Sequence, residues 1–206
     1  MRKKAGKTVT EARIIEAAVQ LFSQKGFKGT STKDISNLAR VNEVTLFRYF
    51  PHKSDLFSAA TESRLIRVRM GRELQSKLAG DASLETIVPM LTEFLMENFF
   101  DPPDLVRLLY VAGFEVPASA KIVREYLGPF FDSIHGYFER SAAKGLIGNI
   151  EPSIATLGLP GVVTAHQNFY RLFTGTELGW EPQKSGPAYA AFLLGALSPN
   201  GEKVVH

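Results

Sequence analysis

The chain has 206 residues, 45% of them hydrophobic, which is enough to bury a core in one domain or two small ones. It contains no cysteine, which excludes disulfides and thiolate metal sites and fits a reducing compartment. Net charge is only +3, yet residues 1–57 hold 11 Lys/Arg against 5 Asp/Glu, whereas the rest hold 13 against 16; a basic N-terminal quarter on a mildly acidic body is the pattern of a polyanion-binding head.

The first residues are basic but lack the apolar run of a signal peptide. The first predicted helix spans Thr8 to Lys25. Thr8 with Glu11 makes a capping-box pattern, and Ile14, Ile15, Ala18, Leu21 and Phe22 recur at helical spacing to give one apolar face. Gly26 permits the left-handed turn that ends it. A second helix is expected from Thr32 to Ala39, capped by Ser31, with Ile35, Leu38 and Ala39 inward. A third runs from Glu43 to Phe50 behind Asn42, and Leu46 and Phe50, four apart, should pack on the first helix. Pro51 breaks the chain, and a long fourth helix follows from Lys53 to about Lys77.

Further helices are expected near 83–99, 103–114, 118–144, 152–174 and 186–197, separated by Gly80, Pro102-Pro103, Pro117, Gly145, Pro152 and the Gly175–Gly186 loop. No strand pattern emerges. The fold expected is all-α: an N-terminal three-helix helix-turn-helix domain over 1–52 and a C-terminal helical domain over 53–206. The longest uncharged stretch, Pro152 to Tyr170, is interrupted by prolines, glycines, His166, Gln167 and Asn168; it reads as a buried or interface segment, not a membrane span. A cytoplasmic chain without membrane association is the expectation.

Residues 31–53 carry the chemistry. Two short helices joined by a tight turn suit insertion of the second into the major groove of double-stranded DNA. Asn42 and Thr45 can hydrogen-bond base edges, Val44 and the Thr45 methyl can meet thymine methyls, and Glu43 can accept from a cytosine amino group. Lys33, Arg40, Arg48, Tyr49 and Lys53 suit phosphate, as do the hydroxyl and free amides at Thr32. Arg2, Lys3, Lys4 and Lys7 suit a salt-sensitive arm.

No enzyme is expected, nor a cofactor or metal. His52, His135, His166 and His206 show no ligand spacing, and there is no phosphate-binding glycine loop or nucleophile elbow. The alternative class is a helical interaction protein that does not bind DNA.

Residues from about Thr10 to Phe57, a quarter of the chain, resemble the N-terminal domain of TetR/AcrR-family transcriptional regulators. The resemblance is carried by Leu21-Phe22, Lys25-Gly26-Phe27, Thr30-Ser31-Thr32, Ile35-Ser36, Ala39-Arg40-Val41-Asn42, Thr45-Leu46-Phe47 and Tyr49-Phe50-Pro51-His52-Lys53. It implies DNA contacts at Thr32, Asn42, Thr45, Phe47, Tyr49 and Lys53. Three positions depart from the family pattern: Arg40 for a turn glycine, Val44 for a small residue, and Phe47 for a tyrosine. The resemblance further implies a homodimer on a palindromic operator, with repression relieved by a small-molecule effector. The low-charge segments 158–163 and 188–197 suit the dimer contact. Aromatic residues in the middle helices suit a pocket for a hydrophobic or aromatic, weakly anionic ligand. The candidates are Phe94, Tyr110, Phe114, Phe131, His135, Phe138, His166 and Phe169, with Gln167 and Asn168 as further polar groups.

Overall fold

The computed structural model describes residues 9–100, 104–175 and 182–198, and among them there are ten α-helices and no strand. In chain order they are α1 (Val9–Lys25), α2 (Thr32–Ala39), α3 (Glu43–Tyr49), α4 (Lys53–Leu65), α5 (Arg72–Ala79), α6 (Leu84–Leu95), α7 (Asp104–Phe114), α8 (Ala120–Ala143), α9 (Pro152–Thr174) and α10 (Pro182–Leu197). A π-helical turn, Met96–Phe100, continues α6, and a short 3-10 turn, Pro117–Ser119, precedes α8. By their contacts the residues form two units, Met1–Val68 with Phe99–Leu127, and Arg69–Asn98 with Gly128–His206.

The first unit is built on the apolar face of α1. Ile14, Ala18 and Phe22 are fully buried and share a core with Ile35 of α2, Leu46 of α3, Leu56 and Phe57 of α4, and Leu108 and Ala112 of α7. The Phe22 ring lies 5.2 Å from Phe57, edge to face, and 5.8 Å from Phe27. Each such side chain contributes roughly 1.5–3 kcal/mol by leaving water. α1 ends where expected, at Gly26 with φ +74°. A side chain there would also meet the Glu115 carboxylate, because an added Cβ would sit 2.7 Å from its Oε1.

One charged group is interior to this unit. Arg64 of α4, only 6% exposed, donates from Nη1 and Nη2 to Glu16 of α1 at 3.1 and 2.6 Å, and from Nε to Asp104 of α7 at 2.8 Å. The guanidinium so joins three helices and exchanges water for charged acceptors. It holds the Glu16 carboxyl below its ordinary range, chiefly through this hydrogen bond.

Three expectations are corrected. The long helix from Lys53 to Lys77 is two helices: α4 stops at Leu65 and α5 starts at Arg72. The intervening segment buries both Val68 and Met70, which a helix would set about 200° apart, and Gly71 then caps α5. Leu38 does not face inward but is 44% exposed. Ile35 and Ala39, four apart, make the buried stripe of this two-turn helix, and Leu38 falls at its edge, beside Arg13 and Gln20 of α1. α10 begins at Pro182, earlier than residue 186, because proline suits the first turn, where an N–H would have no helical partner. The Thr8 cap lies outside the described residues.

In the second unit, α10 packs on α6 and α9 through Ala190, Leu193 and Leu197, opposite Ile87, Leu91, Leu159 and Val163. The Tyr137 hydroxyl of α8 donates to the Ala82 carbonyl at 2.8 Å, and burial pushes that phenol upward in pKa. Another face of α9 stays in contact with solvent: Ile154, Leu157, Phe169 and Phe173 are exposed, as is Phe192 of α10.

Candidate nucleic-acid interface

The geometry of residues 31–53 follows from local hydrogen bonding. Ser31 Oγ accepts from the Asp34 amide at 3.0 Å, and the Asp34 carboxylate accepts from the Ser31 amide at 3.4 Å, completing a capping box. Those bonds hold the Asp34 carboxyl below its ordinary pKa. α2 ends at Arg40, whose φ of 53° and ψ of 49° are left-handed. For a residue with a side chain this costs on the order of 1 kcal/mol. The turn is held from three sides. The Arg40 amide donates to Asn37 O at 3.1 Å, the Val41 amide donates to Ser36 O at 3.0 Å, and the Arg13 guanidinium of α1 donates to the carbonyls of Ala39 and, at 3.0 Å, Arg40.

α3 starts at Asn42, whose Oδ1 accepts from the Val44 amide at 2.9 Å. That uses the side-chain oxygen and leaves the NH2 end for a base edge. Leu46 and Phe50 are seated in the core as expected. The opposite face carries Asn42 and Arg48, both exposed, Val44 at 77%, Phe47 at 41%, and Thr45 half-buried. Lys33 on α2 and the Arg40 side chain are also exposed.

Two candidates turn out to be paired. Thr32 Oγ1 donates to Glu43 Oε1 at 2.5 Å, a charge-assisted bond between the starts of α2 and α3. The Thr32 hydroxyl proton is therefore committed in this structure, and its offer to a phosphate is the backbone amide at the head of α2. Lys53, at the start of α4, lies half-buried with Nζ 4.4 Å from the centre of the Phe27 ring. Burial lowers the Lys53 pKa, with the Glu115 carboxylate opposing. Tyr49 packs against the core with the Arg48 guanidinium 5.6 Å above its ring. Arg2, Lys3, Lys4 and Lys7 lie outside the described residues.

Sequence reasoning missed the supports. Arg13 braces the turn from 26 and 27 positions away. Glu115, at the end of α7, accepts from the Lys28 amide at 2.9 Å and so pins the loop between α1 and α2 from 87 positions away. No local pattern signals either.

The ligand candidates do not converge on one site. Tyr110 and Phe114 stack 6.3 Å apart on an exposed face of α7 in the first unit. The other six belong to the second unit. Phe94 is buried against Phe130, Phe138 is buried beside Tyr137, and Phe131 is half-buried. His135 lies 3.2 Å from Thr156 Oγ1 and 3.4 Å from Glu139. His166 Nδ1 lies 2.5 Å from the Tyr189 hydroxyl, and Phe169 is half-exposed beside Phe173. The side chains of Gln167 and Asn168 lie outside the described set. A cavity of about 560 Å³ in the second unit, between α6 and α10, is lined by none of these eight.

A capped helix crossing a short outward-facing helix, on an otherwise all-helical chain, defines the helix-turn-helix class. Comparison with known proteins narrows the class. Residues 14–60 match the family model "Bacterial regulatory proteins, tetR family", and the chain belongs to that family. It is similar to the HTH-type transcriptional regulator YvkB of Bacillus subtilis, described as uncharacterized, at 46% identity over 24% of this chain and 26% of that one. It is also similar to the HTH-type transcriptional repressor NicS of Pseudomonas putida, at 28% identity over 66% of this chain and 65% of that one. The matched stretches thus cover less than two thirds of these relatives. In fold it is similar to the fatty acid degradation regulator FadR of Bacillus halodurans, with a TM-score of 0.64 and 19% identity over 95% of this chain and 98% of that one. No helix among the described residues is long and apolar enough to cross a membrane.

Proposed function

We propose that the chain is a cytoplasmic, homodimeric transcriptional repressor that reads a palindromic operator in double-stranded DNA and is released from it by a small-molecule effector. The observation that carries the reading is the split of α3: Leu46 is locked in the core while Asn42, Val44, Thr45, Phe47 and Arg48 form an outer face beside Lys33 and Arg40. In functional terms residues 1–52 are the reading head, and residues 53–206 bind the effector and pair the subunits.

Dimerisation is supported by the apolar row of Ile154, Leu157, Phe169 and Phe173 on α9 with Phe192 on α10, a surface of the kind that marks contact with another protein. One head reads few base pairs, and a two-fold pair doubles the site with half-sites one helical turn, about 34–36 Å, apart.

Selection of bound DNA from a random pool tests the reading. The expected product is an inverted repeat whose retention weakens steeply with salt. An absence of salt-dependent binding at low ionic strength would show a helical interaction protein instead.

A further inference from the structure

We propose that the cavity between α6 and α10 binds a lipophilic organic cation, which deepens, and rests on, the effector-responsive reading above. Its volume, about 560 Å³, falls within the range of small-molecule sites. Pro89 and Met96 on one side and Pro187, Ala190 and Leu194 on the other make its walls predominantly apolar. Met96 opens the π-helical turn, and its unbranched thioether adapts to ligands of different shape.

The charges in the lining are both negative. Glu93 and Glu97, four apart on α6 and its continuation, are exposed side chains that make no hydrogen bond or ion pair among the described residues. The lining presents no Lys, Arg or His. Backbone donors are scarce as well, because Pro89 and Pro187 have no N–H and the Thr92 hydroxyl already donates to Val88 O at 2.8 Å. An anion entering this site would find two like charges and few donors. An apolar body with a delocalised positive charge would find dispersion contact on the walls and attraction at the mouth. Near Gly186 the two helices meet at ordinary van der Waals distance, since a Cβ there would lie 3.9 Å from Thr92 Cγ2, so substituents at the exposed Ala191 are the ones that narrow the cavity.

The test uses the full chain and two probes of nearly one shape and opposite charge, tetraphenylphosphonium and tetraphenylborate, titrated calorimetrically. Because the chain carries +3 overall, long-range attraction alone would favour the borate. The expected result is saturable binding of one phosphonium per chain, at least tenfold tighter than the borate. Glu93→Gln with Glu97→Gln should weaken the phosphonium roughly five- to tenfold, and Ala191→Phe should weaken it by excluding volume. Equal binding of the two probes, indifference to the double substitution, or no phosphonium binding would each overturn the site. A parallel measurement of operator retention separates the two readings. Charge-selective binding that leaves the DNA complex intact upholds the site and overturns its role as effector site. Release of DNA by another molecule, with no phosphonium binding, does the reverse.

Discussion

The first unit surrounds large rings with large rings: Phe22, Phe27 and Phe57 contact one another, and the one buried guanidinium finds carboxylates on two other helices. The second unit is looser in composition. Its helices contain Pro89, Pro160 and Pro187 in their interiors, and α9 presents Leu157 and Phe173 to solvent. An interior proline removes a hydrogen bond and bends or weakens a helix, a poor choice for rigidity and a useful one for opening space between helices. The contrast assigns different duties. The first unit holds a few side chains in one geometry, whereas the second leaves apolar surface and volume for something else to fill.

Substitutions that erase or reinforce this contrast have graded consequences. Phe57→Ala opens a void in the aromatic core and should cost about 4 kcal/mol of unfolding free energy, read from a denaturant midpoint; a cost under about 1 kcal/mol would mean the first unit is no better packed than the second. Arg64→Ala leaves the mostly buried Asp104 without its cation and should cost about 2 kcal/mol, discounted because Glu16 is largely solvated. Leu157→Glu touches the other side of the comparison. It should weaken self-association by about 2 kcal/mol, some thirtyfold in dissociation constant, in sedimentation experiments, while leaving helicity unchanged.

Smaller effects follow at the turn and at the charged bridge. Arg40→Gly relieves about 1 kcal/mol of left-handed strain and returns roughly half of it as unfolded-state entropy, so a net gain near 0.5 kcal/mol is expected in thermal melts. Glu16→Gln is the mildest. The Glu16 carboxyl titrates below its ordinary value of 4.5 when folded, because Arg64 favours its charged form. Its contribution is therefore present above about pH 4.5 and lost as pH falls through the lower folded value. The substituted protein should show a shallower acid limb in its stability profile, and an unchanged limb would place the acid sensitivity elsewhere.

What was legible in the chain was local. Ser31 and Asp34 announce the start of α2 three residues apart, Gly26 announces the end of α1, and Leu46 with Phe50 places the inner face of α3. The split between α4 and α5 was not legible, because Val68 and Met70 leave helical register for burial that only the folded chain supplies. The braces from Arg13 and Glu115 were hidden for the same reason, since their partners are distant in sequence and are backbone groups that carry no residue signature. Aromatic residues drew the ligand expectation toward the middle helices, whereas the α6–α10 cavity is lined by prolines, small residues and two acids. A gap between helices is a matter of what is missing, and composition records only what is present.

The bond from Thr32 to Glu43 makes two positions on neighbouring helices a single heritable unit. Changing the acid alone frees a hydroxyl, and changing the hydroxyl alone bares a carboxylate beside a candidate phosphate site. Effects at the two positions should therefore be strongly non-additive, and a lineage that acquired a new operator by altering position 43 would pass through intermediates whose fitness depends on what stands at 32.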